Sequence, residues 1–210
     1  MRIDLGSDDP DVDSYRLLTA VVVPRPIAWV STLSHQGVVN LAPHSFYTVA
    51  CVRPPIVSIT SVGAKDTLRN VKETGEFVVN LAPASMIGEV NASAARFAPD
   101  ESEPVQLGIA TEPSSRVRPP RVVASPVAIE CTLHSIVELG DSTLVLGSVR
   151  LFSVRDDVLV DGHPDYTRLD PLARLGRDEW ALHAEVRSVR RPHLPSDIER
   201  QEFRHQDSPS

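Results

Sequence analysis

Proline at positions 24 and 26 forbids a helix across Arg25, and the next residues, Ile27-Ala28-Trp29-Val30, are apolar before the run ends in the hydroxyls of Ser31 and Thr32. Proline fixes φ, removes a backbone donor and pushes the residue before it into extended backbone, so the chain here must start as a strand. A turn at Gly37 leads into Val38-Val39-Asn40-Leu41-Ala42-Pro43-His44-Ser45-Phe46-Tyr47, which reads as a second strand presenting an Asn-Leu-Ala-Pro backbone platform. Two such strands are the layout a sheet needs to hold a flat ring and a phosphate together, which makes a small-molecule cofactor site the leading reading.

The β pattern continues. Runs of β-branched and apolar residues predict strands over 27–33, 45–49, 56–62, 76–81, 127–137, 143–154 and 181–189. Gly140-Asp141 marks a tight hairpin turn between two of them. Helices are predicted over 14–22, over 67–74 with Gly75 as its stop, and over 84–95, where Ser85 is a cap and Ala92, Ala94 and Ala95 allow close packing. Between residues 97 and 125, Pro99, Pro104, Pro113, Pro119 and Pro120 exclude continuous regular structure and predict a long surface excursion, either a lid or partner contact or an inert insertion. The 210 residues, 41% of them hydrophobic, suffice for one substantial core, and no repeat or composition break divides them. We therefore expect one domain over 1–196 and a frayed polar tail over 197–210.

Charge and motif content narrow the function. A net charge of −7 argues against nucleic acid as a partner. Cys51 and Cys131 lack dithiol or zinc-ligand spacing and read as buried reduced thiols. With neither a signal-type segment nor 18 consecutive apolar residues, the sequence reads as a cytoplasmic protein with no membrane partner. No Gly-x-Ser-x-Gly, His-Glu-x-x-His or Gly-x-Gly-x-x-Gly pattern occurs, and Asp156, Asp157 and Asp207 read as solvated acids.

Lys65-Asp66-Thr67 stands where the predicted strand 56–62 gives way to a helix. A helix N-terminus offers free N–H groups and partial positive charge, and a lysine and a threonine hydroxyl beside it suit a phosphate. An ordinary start, with Asp66 or Thr67 as cap and Lys65 solvated, is the alternative reading of the same residues.

These segments, in order and spacing, resemble the flavin reductase-like, FMN-binding split-barrel family, to which flavoredoxin-type proteins belong. The resemblance runs from the Pro24–Thr32 strand through Asn40–Phe46, Arg53-Pro54-Pro55-Ile56, Lys65-Asp66-Thr67 with Asn70, and Gly75-Glu76-Phe77-Val78-Val79-Asn80. It continues through Glu130-Cys131, Leu146-Gly147-Ser148-Val149, Asp170-Pro171-Leu172 and Arg174-Leu175-Gly176, and so spans roughly residues 15–195. It implies a mostly β fold, a Greek-key split barrel with a few peripheral α-helices, forming a homodimer with the flavin near the subunit interface. The implied cofactor is FMN, with FAD possible, and NADH or NADPH is a transient co-substrate giving hydride from nicotinamide C4 to flavin N5. The implied activity is flavin reduction, on its own or as the reducing component of a partner monooxygenase. The alternative is an FMN-binding electron carrier or redox-responsive module, and a planar phosphate ligand such as a pyridoxal phosphate derivative is a remoter one.

The resemblance also assigns roles. Ser31 and Thr32 would meet the ribityl chain or phosphate, and the main chain of Asn40, Leu41, Ala42 and Pro43 would run along the isoalloxazine edge, with Ser45 and Phe46 continuing that wall. Lys65 and Thr67 would neutralise and bond the phosphate, with Thr60 a weaker partner, while Arg174, Leu175 and Gly176 would close the pocket. Because the flavin carries the difficult chemistry, no catalytic side chain is assigned. Trp29 reads as core or as a ring under the cofactor strand, and Arg25 as aimed at a phosphate or carboxylate or as a surface ion pair. Three positions depart from the family pattern: Trp180 stands for a usual tyrosine, Gly176-Arg177 for Gly-Gly, and His44 for an apolar aromatic.

Overall fold

Along the strand Ala28–Leu33, residues Ala28 and Val30 pack into one apolar cluster and Trp29 into another, so this sheet is covered on both faces. Burial on both sides is why the sequence there reads as a continuous apolar run and not as an alternation. The computed structural model describes residues 2–189, 191, 193 and 194. Seven antiparallel strands form its core: β1 (Ala28–Leu33), β2 (Val39–His44), β3 (Tyr47–Cys51), β4 (Ile56–Val62), β5 (Glu76–Leu81), β6 (Val127–Leu139) and β7 (Ser142–Val154). They are hydrogen-bonded in the order β2-β1-β5-β6-β7-β4-β3.

The two edge strands of that sheet, β2 and β3, are separated in sequence by only Ser45 and Phe46. Strands so close in the chain can lie at opposite edges of a seven-stranded sheet only if the sheet curls round on itself. The result is a barrel split along the β2–β3 seam, where the Thr60 N–H donates to the Phe46 carbonyl at 2.8 Å. Inside it lie Val30, Val57, Ile59, Phe77, Val79, Cys131 and Val145, with Leu68 and Val71 closing one side. Gly147 is glycine because a Cβ there would come within 2.9 Å of Phe77 Cε1 and 3.2 Å of Cys131 Cβ. Burial, and then the neighbouring Glu130, push the Cys131 thiol up to about 12, so it is no nucleophile at neutral pH.

Among the described residues five helices flank the barrel: α1 (Ser14–Val21), α2 (Asp66–Thr74), α3 (Ile87–Ala92), α4 (Glu103–Gln106) and α5 (Tyr166–Leu169). Arg25–Pro26, Ala173–Arg174 and Trp180–Ala181 form a small three-stranded annex beside it. The outer cluster of Ile27, Trp29, Leu41, Val90, Ile109, Val122 and Leu172 lies between β1–β2 and the segments that cover them. Trp29 is fully buried there as a core residue, its Nε1 donating to Ser93 Oγ at 2.9 Å.

The fold is mostly β, as expected, with five corrections. The strand expected over 45–49 begins at Tyr47, because Ser45 and Phe46 make the seam. Of 181–189 only Ala181 is in a strand, paired through Trp180–Ala181: the alternation continues, but no partner edge meets it. The helix expected over 84–95 is a 3₁₀ turn (Ala84–Met86) followed by α3, and Ser85 caps nothing, since Pro83 holds the cap position. Cys51 is half-buried, unlike Cys131, although both are free.

The fifth correction is the excursion over 97–125, which is tied down along its length. Glu130 is fully buried and its carboxylate accepts from the Ser115 and Arg116 N–H groups at 2.9 and 2.6 Å. The Val122 N–H donates to Asn80 Oδ1 at 2.9 Å, and Ile109, Val117 and Val122 are buried. The prolines exclude long elements, but the apolar residues between them still find a core. The tail expected over 197–210 lies outside the described residues. Among the described residues no helix is long and apolar enough to cross a membrane.

Candidate functional site

Neighbouring residues of a strand point to opposite faces, so β2 sorts the platform residues into two groups. Asn40 and His44 face α2, where both reach Thr67; Leu41 packs beside Trp29, and Pro43 lines a cleft with Ile27, Asn91, Ala94 and Trp180. The same rule separates Ser31 from Thr32. The Ser31 hydroxyl donates to the Pro120 carbonyl at 2.6 Å, under the excursion, whereas Thr32 Oγ1 accepts from Asn40 and Asn70 on the α2 side at 3.2 and 3.0 Å. Both hydroxyls are fully buried.

The α2 side is one buried polar network. Thr67 Oγ1 accepts from Asn40 Nδ2 at 3.1 Å and lies 3.2 Å from His44 Nε2. Burial, and then the charge of Lys65, lower the His44 pKa to about 4, while a bond to the Thr60 backbone opposes them. His44 is therefore neutral at physiological pH. With its other nitrogen donating to Thr60, Nε2 accepts the Thr67 proton, and this turns the Thr67 lone pairs away from the ring.

The N-terminus of α2 lies at the rim of this network. Lys65 occupies the cap position with extended backbone and forms no side-chain cap bond, in contrast to Asp13, which caps α1 through the Arg16 N–H at 3.0 Å. Neither Asp66 nor Thr67 serves as the cap, so that part of the alternative falls, while Lys65 is exposed, as the alternative also had it; Asp66 is the first helical residue and pairs with Arg69 at 2.5 Å. The first N–H groups of a nine-residue helix are thus left without a side-chain acceptor beside an exposed lysine.

On the other face of β2, Pro43 lines the first of three clefts that share Arg174. One of about 170 Å³ holds Pro43, Ser45 and Trp180; a second of about 340 Å³ holds Ile87, Asn91 and Trp180; a third of about 350 Å³ holds Tyr15, Arg25 and Ser45. The Arg174 guanidinium stacks 4.6 Å from the centre of the Trp180 ring and donates to the Arg177 carbonyl at 2.7 Å. Leu41 departs from its expected role: on an edge strand its N–H points outward, and here it donates to Glu103 Oε2 at 2.9 Å, so it is not free for a ring edge. Among the described residues Arg25 forms no ion pair; its guanidinium donates to the Thr19, Val22 and Leu175 carbonyls and lies 5.9 Å from the Phe46 ring centre.

Among the expected site residues, Thr32, Asn40, Thr60, Lys65 and Thr67 gather at the α2 end, Pro43, Ser45 and Arg174 at the clefts, and Ala42 and Phe46 are half-buried between them. Glu103 and Asn91 escaped sequence reading because nothing local marks them. Asn70 was visible, one helical turn from Thr67 on the same face.

The geometry can now be set beside known proteins. Residues 20–170 match the family described as flavin reductase like domain. An uncharacterized protein of Halalkalibacterium halodurans is 37% identical over 199 residues, covering 89% of this chain and 95% of that one. The crystal structure of nitrilotriacetate monooxygenase component B from Bacillus cereus superposes with a TM-score of 0.85 at 30% identity, covering 90% of this chain and 99% of that one. That of the 2-nitrobenzoate 2-nitroreductase NbaA of Pseudomonas fluorescens gives 0.82 at 29% identity, covering 93% and 99%.

Proposed function

This chain belongs to the flavin reductase-like domain family, and from that premise we propose that it binds FMN and transfers hydride from NADH or NADPH to it. The observation that carries the reading is the uncapped N-terminus of α2 beside an exposed lysine and a threonine hydroxyl held in place by Asn40 and His44. Such a terminus suits a dianionic phosphate. Lys65 would neutralise it, and the free backbone N–H groups at the start of α2, that of Thr67 among them, would bond it, while the Thr67 hydroxyl, its proton donated to His44, holds the helix start in place. Pro43, Ser45 and Phe46, on the far side of His44, would border the ring, with Arg174 and Trp180 as the opposite wall. When bound, the flavin supplies the two-electron chemistry, so the residues need only bind, orient and exclude water.

We place the protein in the cytoplasm as a homodimer. Its two free cysteines fit a reducing compartment, and Leu18, Val21 and Val22 on and beside α1 are 59%, 71% and 58% exposed, an apolar surface a second copy would cover. Reduced flavin would pass to a partner monooxygenase, a role that the component B name of the Bacillus cereus structure supports.

FMN titration of Lys65→Ala and of the Lys65→Ala/Thr67→Ala pair tests the phosphate site. Losing a charged hydrogen bond costs about 1.5–3 kcal/mol, so affinity should fall roughly tenfold to a hundredfold. Lys65 is exposed, so its variant folds as before. Wild-type affinity in that variant would remove the α2 terminus from the site.

A further inference from the structure

Four arginines line one cleft of about 350 Å³: Arg16 on α1, Arg25, Arg174 and Arg177, with Ser45 and Thr19 among its other lining residues and no acid. In a chain of net charge −7 this is a local reversal of sign. The charges are also poorly compensated. Among the described residues Arg16, Arg25 and Arg177 form no ion pair, and Arg174 has only the exposed Asp178 at 3.4 Å. Arg25 is only 7% exposed; among the described residues all its bonds go to neutral carbonyls, and its buried Nε has no partner. A buried guanidinium without a counter-charge is unfavourable, and an anion in the cleft would relieve it.

The backbone gives a second, independent sign. Arg177 has φ +53°, the left-handed region where glycine is free and any other residue is disfavoured by roughly 1–2 kcal/mol. The chain holds an arginine in this strained conformation, and its side chain adds to a cleft already lined by three others. Gly176 lets the loop close on α1, since a Cβ there would lie 3.2 Å from Ala20 Cα, and that approach brings Arg16 and Arg177 to one cavity.

We propose that this cleft is a second anion site, separate from the α2 terminus, that holds the phosphate or carboxylate of the molecule exchanging electrons with the flavin. The proposal rests on the flavin reading above. Ser45 and Arg174 line both this cleft and the neighbouring one that holds Pro43 and Trp180, so a ligand anchored by its anion here could extend toward the ring side.

The test is calorimetric titration of the protein, with and without saturating FMN, using adenosine 2′,5′-bisphosphate as the phosphate probe and benzoate as the carboxylate probe. One probe should bind FMN-saturated protein, identifying which anion the site takes. Arg177→Gly and Arg16→Gln should each weaken that probe roughly tenfold, the loss of one charged contact, while leaving FMN affinity unchanged. Arg177→Gly should also keep or raise the thermal midpoint, because it relieves the strained backbone, so weaker binding cannot be put down to unfolding. Failure of both probes to bind, or wild-type probe affinity in both variants, overturns the proposal. So does displacement of FMN by the probe, which would make the cleft the seat of the flavin's own phosphate. A protein that binds the probe through Arg177 but takes no FMN keeps the anion site and removes the flavin reading.

Discussion

Acidifying the protein should destabilise it through His44 by a calculable amount. The ring is buried, its pKa lies at about 4 against an ordinary 6.5, and Nε2 accepts the Thr67 hydroxyl. A depressed histidine pKa means the unfolded chain binds the proton more readily than the folded one. Its stability contribution is therefore complete above pH 6.5 and is lost as the pH falls toward 4. Integrating between those two values gives a loss of about 2 kcal/mol from pH 7 to pH 5 and about 3 kcal/mol by pH 4. Glu103 works in the opposite direction: burial, partly offset by its bond from Leu41, raises its pKa above 4.5, so its contribution is lost as the pH rises. Urea unfolding of wild type and His44→Gln at pH 7, 6 and 5 isolates the histidine, because Glu103 is common to both. Glutamine can still accept from Thr67, so the variant should fold, and its stability should fall by about 2 kcal/mol less than that of wild type over this range. Parallel pH profiles for the two proteins would refute the buried neutral histidine and the proton placement built on it.

Other perturbations follow from packing and charge. Gly147→Ala would drive a methyl into the Phe77 ring and should cost about 1–3 kcal/mol in urea unfolding; Phe77→Leu in the same chain should recover part of that, giving a favourable coupling in the double-mutant cycle. Glu103→Gln keeps an acceptor for the Leu41 N–H but removes a buried charge, so at pH 7 the variant should be no more than about 1 kcal/mol less stable than wild type, and it should lose the decline in stability with rising pH. A larger loss would mean that the carboxylate is paired in solution with a cation the fold does not show.

The sequence carried what local pattern can carry. The strands over 56–62 and 76–81 were marked to the residue by their apolar runs, the Gly140-Asp141 hairpin by its turn chemistry, and the end of α2 by Gly75, which takes φ +72°. Long-range partners were invisible. Nothing near Leu41 announces that its N–H is taken by Glu103, 62 residues away, and nothing near Ser115 and Arg116 shows that buried Glu130 will hold them. Adjacent Ser31 and Thr32 must point to opposite faces of their strand, but which face lies under the excursion and which meets α2 is set by distant segments. Residues 182–189 show the converse: a strand pattern without a neighbouring edge remains irregular. The helix start at Lys65 and Thr67 was legible because a helix start after a strand is a local event. The arginine cleft was not, since Arg16, Arg25, Arg174 and Arg177 meet only through the annex and α1.

The central claim is that this barrel holds a flavin and reduces it with a nicotinamide. Visible absorption of the purified protein supplied with FMN, recorded anaerobically before and after NADH and then NADPH, tests it most directly. The account predicts a protein-bound flavin band that bleaches rapidly with one of the two nucleotides. A bound band that persists with both would leave an electron carrier in place of a reductase, and no bound band at all would contradict the account.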